Sequence, residues 1–219
     1  MTTASQSASQ NIALFGGTFD PIHLGHILPA QATAKWLGVE QLQLIPAHIP
    51  PHKAGTHASA KQRAEMVSLV CDTQTMFTLD NRELLRESHS YTVDTLREIK
   101  TDYPNATLYF IIGMDSLLAF TTWHAWQDIL TLCNLVVNIR PGYPHAALTE
   151  TLSAELTPHL VDNIQQLQRQ QSGQIILHNS TAYDISSTKI RAKIKAGQNY
   201  RQYLPEPVYQ YIEQHQLYR

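Results

Sequence analysis

The chain has 219 residues, of which 43% are hydrophobic and 16% charged, and its formal net charge is −2 at pH 7. This length and hydrophobic content favour one α/β domain with its own packed core over a disordered chain. A net charge so close to zero provides no general attraction for a nucleic acid polymer, so any anion site must be local.

Cysteine usage and hydropathy indicate the cellular compartment. Cys71 and Cys133 lie in apolar contexts without a CxxC spacing, which is typical of reduced core residues in a cytoplasmic protein. No apolar run approaches the length of a membrane span, and the N-terminus lacks the basic-then-apolar pattern of a signal peptide. We therefore expect a cytoplasmic location and no membrane partner.

The predicted organisation is a tail followed by a single domain. Residues 1–10 are rich in Ser, Thr, Gln and Ala, which predicts a flexible N-terminal tail. Residues 11–219 contain no internal repeat and no linker-like stretch, so we expect one domain. Apolar runs alternate with amphipathic segments along it, which predicts an α/β fold: a Rossmann-like doubly wound parallel sheet with helices on both faces.

The first predicted element is a buried strand over residues 12–15, followed by a glycine turn and a helix over residues 27–37. The turn and the helix start have the sequence GGTFDPIHLGH, from Gly16 to His26. Gly16 and Gly17 have no side chain to keep a phosphate from the backbone, and N–H groups at a helix start point outward. The pattern predicts a phosphate site, and it lacks the G-x-G-x-x-G fingerprint of the dinucleotide-dependent dehydrogenases.

Two histidines stand at this helix start. His23 and His26 are three residues apart, so they share one face if the helix has begun. Such a pair alone is as typical of metal ligands or ordinary surface residues as of a catalytic site. Beside the glycines and the preceding strand, the pair favours a polyphosphate-binding site.

The next segment predicts a strand over residues 42–46 and a proline-rich loop that cannot be helical. Lys53 lies in this loop, after the carboxyl end of a strand, where a cation faces the ligand crevice of an α/β sheet. The alternative is an ordinary solvated lysine. We expect the loop, residues 47–60, to move on ligand binding, because it is long and rich in Pro, Gly and His.

Three further elements are predicted before the centre of the chain. An amphipathic helix over residues 61–71 and a strand over residues 77–80 carry no chemistry of their own. A short polar turn or strand extension then leads to a helix that begins at Thr92 and runs to about residue 102. Thr92 would cap this helix. The residues expected to face inward are Val93, Leu96, Ile99 and Tyr103.

A continuous apolar strand over residues 107–112 is predicted near the centre of the sheet, because strands covered on both faces show no polar alternation. Gly113 follows it and permits a close approach. Asp115 lies at the same edge of the sheet, where it serves a ligand or caps the next helix. Trp123 and Trp126 come next, and we expect one to pack inward and the other to stack on a heteroaromatic ring.

The remaining elements are a strand over residues 134–139, a mostly helical segment over residues 147–171, a strand over residues 174–178 and a helix over residues 205–218. Arg140 follows the first of these strands. Its guanidinium would bind a phosphate or pair with a carboxylate of the scaffold, and the sequence favours neither.

The block from Ile185 to Arg191, ISSTKIR, predicts a second loop that enters a helix. Ser186, Ser187 and Thr188 supply hydroxyls and N-cap acceptors, and Arg191 lies four residues past Ser187 on the same helix face. Hydroxyls, helix-start N–H groups and a guanidinium together suit polyphosphate oxygens. Alone, the block would be equally typical of an N-cap with a surface arginine.

Both blocks resemble the signatures of a known family. GGTFDPIHLGH is similar to the first signature of the nucleotidylyltransferases that carry a His-x-Gly-His motif, and ISSTKIR is similar to their second. The resemblance extends over nearly the whole chain from Asn11 onward. The segments between the two blocks are most similar to the bacterial nicotinate-nucleotide adenylyltransferases.

The resemblance implies a reaction of NAD biosynthesis, in which the 5′-phosphate of nicotinate mononucleotide attacks ATP to give deamido-NAD and pyrophosphate. The residues themselves agree with such chemistry, since the sequence shows no nucleophile beside a base and no Cys/His metal cage. A substrate phosphate is already a nucleophile, so positioning and electrostatics can supply most of the acceleration. Mg²⁺ would arrive with ATP and be held by phosphates and water rather than by protein ligands.

The resemblance also assigns roles to residues. The expected catalytic residues are His23, His26, Lys53 and Arg191. The expected ATP-binding residues are Gly16, Gly17, Thr18, Phe19, His23, His26, Gly113, Asp115, Ile185, Ser186, Ser187, Thr188 and Arg191. The expected residues for the nicotinate nucleotide are Ser90, Tyr91, Thr92, Trp123, Lys53 and Arg140. No protein-bound metal is expected.

Three alternatives stay open at this point. The same transfer could use nicotinamide mononucleotide or phosphopantetheine as acceptor, or the chain could be a nucleotide sensor without turnover. Trp123 and the turn at Ser90 favour a pyridine ring, since a pantetheine arm offers nothing to stack. His124 departs from the aromatic residue, commonly tyrosine, that the family has there. A homo-oligomer is a further open expectation.

Overall fold

The computed structural model describes residues 10–48, 55–86, 90–139, 152, 154–180 and 183–219. The predicted tail up to residue 9, Lys53 and Arg140 lie outside these ranges. No helix in the described part of the chain combines the length and apolar character that a bilayer crossing would require.

Seven described strands form one sheet in which every neighbouring pair is parallel. The strands are β1 (Asn11–Gly17), β2 (Leu42–Pro46), β3 (Phe77–Leu79), β4 (Thr107–Gly113), β5 (Asn134–Ile139), β6 (Leu160–Val161) and β7 (Ile175–Asn179). Their order across the sheet is β3-β2-β1-β4-β5-β7-β6. The chain therefore builds outward from β1 in one direction and then from β4 in the other, which makes the β1–β4 boundary the switch point of a doubly wound sheet.

The described part of the chain contains eight α-helices. They are α1 (Leu24–Leu37), α2 (Ala60–Thr73), α3 (Thr92–Asp102), α4 (Met114–Leu118), α5 (Trp126–Leu132), α6 (Ile164–Leu167), α7 (Ser187–Lys195) and α8 (Glu206–Gln214). Two apolar cores form, one on each face of the sheet. Along β1, Ala13 packs into the core with α1, α2 and α8, whereas Ile12 and Leu14 pack into the core with α3 and α5. The predicted helices on both faces are thus confirmed.

Two details of the predicted α3 are wrong. Tyr91 occupies the N-cap position, no side chain caps the helix, and Thr92 is its first helical residue. Tyr103 is 37% exposed, because it follows the last helical residue and leaves the inward face. Val93, Leu96 and Ile99 are buried as predicted.

The helical prediction for residues 147–171 is wrong over its described part. A 3₁₀ turn at Thr157–His159 leads into β6, and only the four residues of α6 are α-helical. Leu160 and Val161 pair with β7 through the register Leu160↔Ile175. Pairing with a distant strand has overridden the local preference of this segment, which the sequence alone does not reveal.

Candidate active site

A cleft of about 730 Å³ opens at the carboxyl ends of β1 and β4, the switch point of the sheet. Ligands of open α/β sheets bind at this position, because the loops after neighbouring strands diverge there. The turn after β1, the end of β4, the turn before α3 and the loop before α7 all contribute lining residues. Most residues predicted to bind ATP, and most residues predicted to bind the nicotinate nucleotide, therefore line one cleft.

The glycine turn lines one end of the cleft. Gly16, Gly17, Thr18 and Phe19 all belong to its wall. Phe19 is buried with φ 48°, and a Cβ on Gly17 would lie 2.8 Å from its ring. The absence of a side chain at Gly17 therefore serves the packing of Phe19 as well as the approach of a ligand.

The two histidines stack on each other at the start of α1, with ring centroids 3.6 Å apart and an interplanar angle of 19°. Their shared face is confirmed. His26 lines the cleft, whereas His23 is the N-cap residue, is 3% exposed and lies behind it. Burial lowers the pKa of His23 to about 4, so its imidazole is neutral at pH 7. A neutral ring can stack on His26 without a charge repulsion.

The second block joins the first directly. Ser187 donates its Oγ hydrogen to the carbonyl of Pro21 at 3.1 Å, and Arg191 Nη1 donates to the carbonyl of Asp20 at 2.6 Å. Ser186 caps α7 by accepting from the N–H of Lys189. The start of α7 is thus held against the turn that leads into α1, so the N–H donors of the two helix starts lie near each other.

The other end of the cleft is aromatic and amide-lined. Ser90, Tyr91 and Thr92, at the start of α3, form one side. Trp123 also lines the cleft and packs edge-to-face on Phe110 at 6.4 Å between centroids. This end of the cleft, called the ring end below, has the shape and chemistry to hold a flat heteroaromatic ring.

The two neighbouring tryptophans both pack on Phe120, with ring centroids at 5.5 Å for Trp123 and 5.9 Å for Trp126. Only Trp123 also lines the cleft, so its stacking on a ligand ring stays a prediction. His124 lines the cleft, and its ring lies 4.5 Å from that of Tyr91. The departure from the family aromatic at His124 therefore changes a wall of the ring end.

Comparison with known proteins places this geometry in a family. The family model described as cytidylyltransferase-like matches residues 14–193. The chain belongs to the cytidylyltransferase-like family. A protein of Psychromonas ingrahamii named probable nicotinate-nucleotide adenylyltransferase is 41% identical over 210 residues, covering 96% of this chain and 98% of the relative. A protein of Serratia proteamaculans with the same name is 43% identical over 220 residues, covering both chains completely.

Solved structures agree on the fold. A nicotinic acid mononucleotide adenylyltransferase of Plasmodium falciparum, complexed with NaAD, superposes with a TM-score of 0.71 at 18% identity, covering 95% of this chain and 97% of that one. A putative nicotinate-nucleotide adenylyltransferase of Vibrio parahaemolyticus gives 0.62 at 18% identity, covering 96% of each. At this identity the likeness concerns the fold alone, and it confirms the Rossmann-like architecture.

The other predicted residues of this family member line the cleft, lie beside it or fall outside the described ranges. Gly113 and Ile185 line the cleft, whereas Asp115 is exposed in the first turn of α4 and is not part of the wall. The residues of the second block that do not line the cleft are Ser186, Ser187, Thr188 and Arg191. The structure therefore brings Arg191 to the first block without placing it in the cleft lining.

The sequence analysis assigned no role to Asp20, which lies inside the first motif. Its carboxylate, 5% exposed, accepts from the backbone N–H of His57 at 2.8 Å, from that of Ala58 at 3.0 Å and from the hydroxyl of Tyr218 at 2.9 Å. Arg63 is fully buried beside it and donates to the carbonyl of Thr18 at 2.7 Å. A buried acid inside a phosphate-binding motif is the signal that could have pointed to this network.

Glu83 and Asn138 also line the cleft and were missed. Glu83 is buried, which raises its pKa, and its Oε1 accepts from Thr95 Oγ1 at 2.7 Å. Asn138 accepts from Thr33 Oγ1 at 2.8 Å and so ties β5 to α1. Neither lies in a motif, and only the fold brings them to the cleft.

Proposed function

We propose that the chain transfers the adenylyl group of ATP to the 5′-phosphate of nicotinate mononucleotide, giving deamido-NAD and pyrophosphate in NAD biosynthesis. The observation that carries this proposal is one cleft lined by the glycine turn and the start of α1, to which the second block is hydrogen-bonded, and by aromatic residues beside the start of α3. Relatives that match over nearly their whole length bear the name of this activity. The enzyme is accordingly a nucleotidyltransferase.

The chemistry needs alignment rather than a protein nucleophile. The 5′-phosphate attacks the α-phosphorus of ATP in line, a new P–O bond forms, and the bond to pyrophosphate breaks. His26, which faces the cleft, would hydrogen-bond the phosphates as charge moves to the leaving group, and the N–H groups at the start of α1 would act with it. His23 would orient the His26 ring by stacking behind it.

Cations would hold the outgoing phosphates. Arg191 is anchored by the carbonyl of Asp20 and also donates to Thr188 Oγ1 at 3.3 Å, so its guanidinium is fixed next to the glycine turn. Lys53 and Arg140 lie outside the described residues, and their phosphate-binding roles stay predictions.

Mg²⁺ would enter with ATP as part of the substrate. Among the described residues, no group of three or more His, Cys, Asp or Glu side chains could hold a metal ion. We propose that phosphate oxygens and water hold this metal. The cytoplasmic location and the homo-oligomer also stay predictions.

The ring end supports the acid form of the pyridine nucleotide. Tyr91 and Thr92 stand at the start of α3, where backbone N–H groups and the helix dipole favour a carboxylate. Glu83 also lines this region, and its charge would repel a nicotinate. Burial, however, raises the pKa of Glu83 and so favours its neutral form, and the Arg86 charge lies near it. Arg86 Nη1 donates at 2.9 Å to the Thr95 hydroxyl, which in turn donates to Glu83. The N–H groups at the start of α3 are then left to recognise the substrate.

A pyrophosphate-release assay with ATP tests the proposal. Nicotinate mononucleotide, nicotinamide mononucleotide and phosphopantetheine are offered in parallel, and we expect the highest kcat/KM with the first. A higher kcat/KM with either of the other two compounds would identify that compound as the acceptor instead. Binding of ATP with no release for any acceptor would identify a nucleotide sensor instead.

A pair of tryptophan variants tests the ring end in the same assay. Trp123→Ala should raise KM for nicotinate mononucleotide by about tenfold, the scale of losing one aromatic stacking contact, while Trp123→Phe should restore part of it. Trp126→Ala is the matched control, because Trp126 packs on Phe120 outside the cleft wall. Equal KM changes in the two alanine variants, with equal melting temperatures, would argue against stacking by Trp123.

A further inference from the structure

We infer that Tyr218 is a positioning residue for adenylyl transfer: its hydroxyl holds the Asp20 carboxylate, and the Asp20 carbonyl in turn holds the Arg191 guanidinium beside the phosphate end of the cleft. The inference rests on the proposed function and deepens it. Tyr218 touches no substrate in this scheme, and it acts through two other residues.

The first step is the link between Tyr218 and Asp20. Three donors converge on one buried carboxylate: Oδ2 accepts from the N–H of His57, and Oδ1 accepts from the N–H of Ala58 and from the Tyr218 hydroxyl. Burial alone would raise the pKa of Asp20. The three hydrogen bonds and the nearby Arg191 charge outweigh burial and bring the pKa below its usual value, so the carboxylate is ionised. A hydrogen bond to an ionised acceptor is about twice as strong as a neutral one.

The second step is the link between Asp20 and Arg191. Arg191 Nη1 donates to the backbone carbonyl of Asp20 at 2.6 Å, so the direction of that carbonyl determines where the guanidinium lies. The carboxylate and the carbonyl both belong to Asp20. Hydrogen bonds to both carboxylate oxygens therefore restrict the rotation of the Asp20 backbone and of its carbonyl group. Loss of one donor would let the Asp20 peptide and the guanidinium move together.

The backbone that delivers Tyr218 gives independent support. After α8, Gln216 and Tyr218 both adopt left-handed conformations, with φ 50° and 67°, which non-glycine residues rarely occupy. Between them Leu217 is buried in the core that contains α1, α2 and α8. The segment is thus held in an unfavourable backbone conformation. In this conformation the Tyr218 hydroxyl reaches the Asp20 carboxylate.

The same carboxylate also fixes the chain that returns from the proline-rich loop. His57 and Ala58 lie just before the capping residue of α2 and donate to Asp20 through their N–H groups. Arg63 of α2 reinforces this arrangement by donating to the carbonyls of Thr18 and His48. Tyr218 therefore closes a network that joins the first motif, the second motif and the segment before α2.

The test compares Tyr218→Phe with Tyr211→Phe in the pyrophosphate-release assay. Both variants remove a tyrosine hydroxyl that donates to a carboxylate, since Tyr211 donates to Glu65 on α2. We expect Tyr218→Phe to lower kcat/KM for ATP about tenfold, the scale of one hydrogen bond to a charged group. KM for nicotinate mononucleotide should stay within about twofold, because the route from Tyr218 through Asp20 leads to Arg191 and not to Trp123. Tyr211→Phe should leave both parameters near wild type.

Two further measurements separate positioning from stability. In an Arg191→Ala background, Tyr218→Phe should have little additional effect on kcat/KM for ATP, because its route to the phosphates is gone. Amide hydrogen exchange at His57 and Ala58 should become faster in Tyr218→Phe and in Asp20→Asn, whose amide cannot accept from all three donors.

The outcomes distinguish the two proposals. A wild-type protein without pyrophosphate release would overturn the proposed function, while the exchange rates at His57 and Ala58 would still report the network. An active wild type with a Tyr218→Phe variant of unchanged kcat/KM for ATP would overturn the role of Tyr218. An equal fractional loss with and without Arg191 would show that Tyr218 acts on stability alone.

Discussion

His23 shows how burial determines what a motif residue can do chemically. It follows the turn as the N-cap of α1, its ring is covered by that of His26, and its pKa falls to about 4 because the charged form is desolvated. Of the two histidines, His26 is the one that lines the cleft. The spacing predicted a shared face, but the division into a buried ring and a cleft-facing ring needed the fold.

The buried state of His23 predicts a pH dependence of stability. In the unfolded chain a histidine takes up a proton near pH 6.5, whereas His23 in the folded chain remains neutral down to about pH 4. Between these values the unfolded state binds more protons, so the free energy of unfolding falls as the pH is lowered, by up to about 3 kcal/mol. Urea unfolding at pH 7, 5.5 and 4.5 measures this loss.

His23→Asn should reduce that loss, because asparagine does not titrate, and comparison with wild type removes the contribution of other groups such as Glu83. The same change at His215, an exposed residue after α8, controls for removing an imidazole and should leave the wild-type dependence in place. If His23→Asn and wild type lose equal stability between pH 7 and 4.5, His23 is already protonated in the folded chain.

At the scale of elements, the site depends on how closely two helix starts approach. Gly25, in the first turn of α1, is the point of contact: a Cβ there would lie 3.0 Å from the Cβ and from the carbonyl oxygen of Ile185, and 3.0 Å from His23 Nδ1. Two of these three neighbours belong to backbone or to a branched side chain, so they cannot yield cheaply. Gly25 therefore determines the distance between α1 and the loop before α7.

Gly25→Ala should push the second block away from the first and weaken binding of ATP by about tenfold or more, with a larger loss for Gly25→Ser. Overpacking of this kind costs about 1–3 kcal/mol, which also predicts a lower melting temperature. Titration calorimetry with a non-hydrolysable ATP analogue measures the affinity of each variant. Wild-type affinity in Gly25→Ser would mean that the two helix starts can separate without cost to the site.

Local patterns predicted elements well where the pattern itself carries the physical reason. The strand after the tail, the central β4 and the entry into α7 each follow from apolar runs and N-cap residues. The segment around β6 did not follow, because two residues become a strand only through pairing with β7. The inward position predicted for Tyr103 also failed, since periodicity does not say at which residue a helix ends.

At the scale of the whole molecule, the cleft exists because strands distant in sequence are neighbours in space. β1 lies beside β4, and the loop before α7 meets the turn after β1. The two motifs predict a phosphate site, but Tyr218 and Asp20 are 198 residues apart, and no spacing relates them. Glu83 and Asn138 likewise reach the cleft only through the topology of the sheet.

This long-range assembly predicts that a triphosphate stabilises the whole fold. A ligand that contacts both blocks binds only the folded chain, so at a concentration of 100 times its Kd it should add about 2.7 kcal/mol to the free energy of unfolding. For a chain of this size that corresponds to a rise in Tm of about 5 to 10 °C. Thermal unfolding with a non-hydrolysable ATP analogue, and with adenosine at the same concentration, measures the effect.

The phosphates should account for most of the rise, because His26 lines the cleft at the start of α1 and the carbonyl of Asp20 holds Arg191 of the second block next to this turn. Arg191→Ala should therefore reduce the rise with the ATP analogue and leave the smaller rise with adenosine unchanged. If adenosine alone raised the Tm of the wild-type protein as much as the analogue does, the two blocks would not be joined through the triphosphate. The joined helix starts would then serve the fold rather than the ligand.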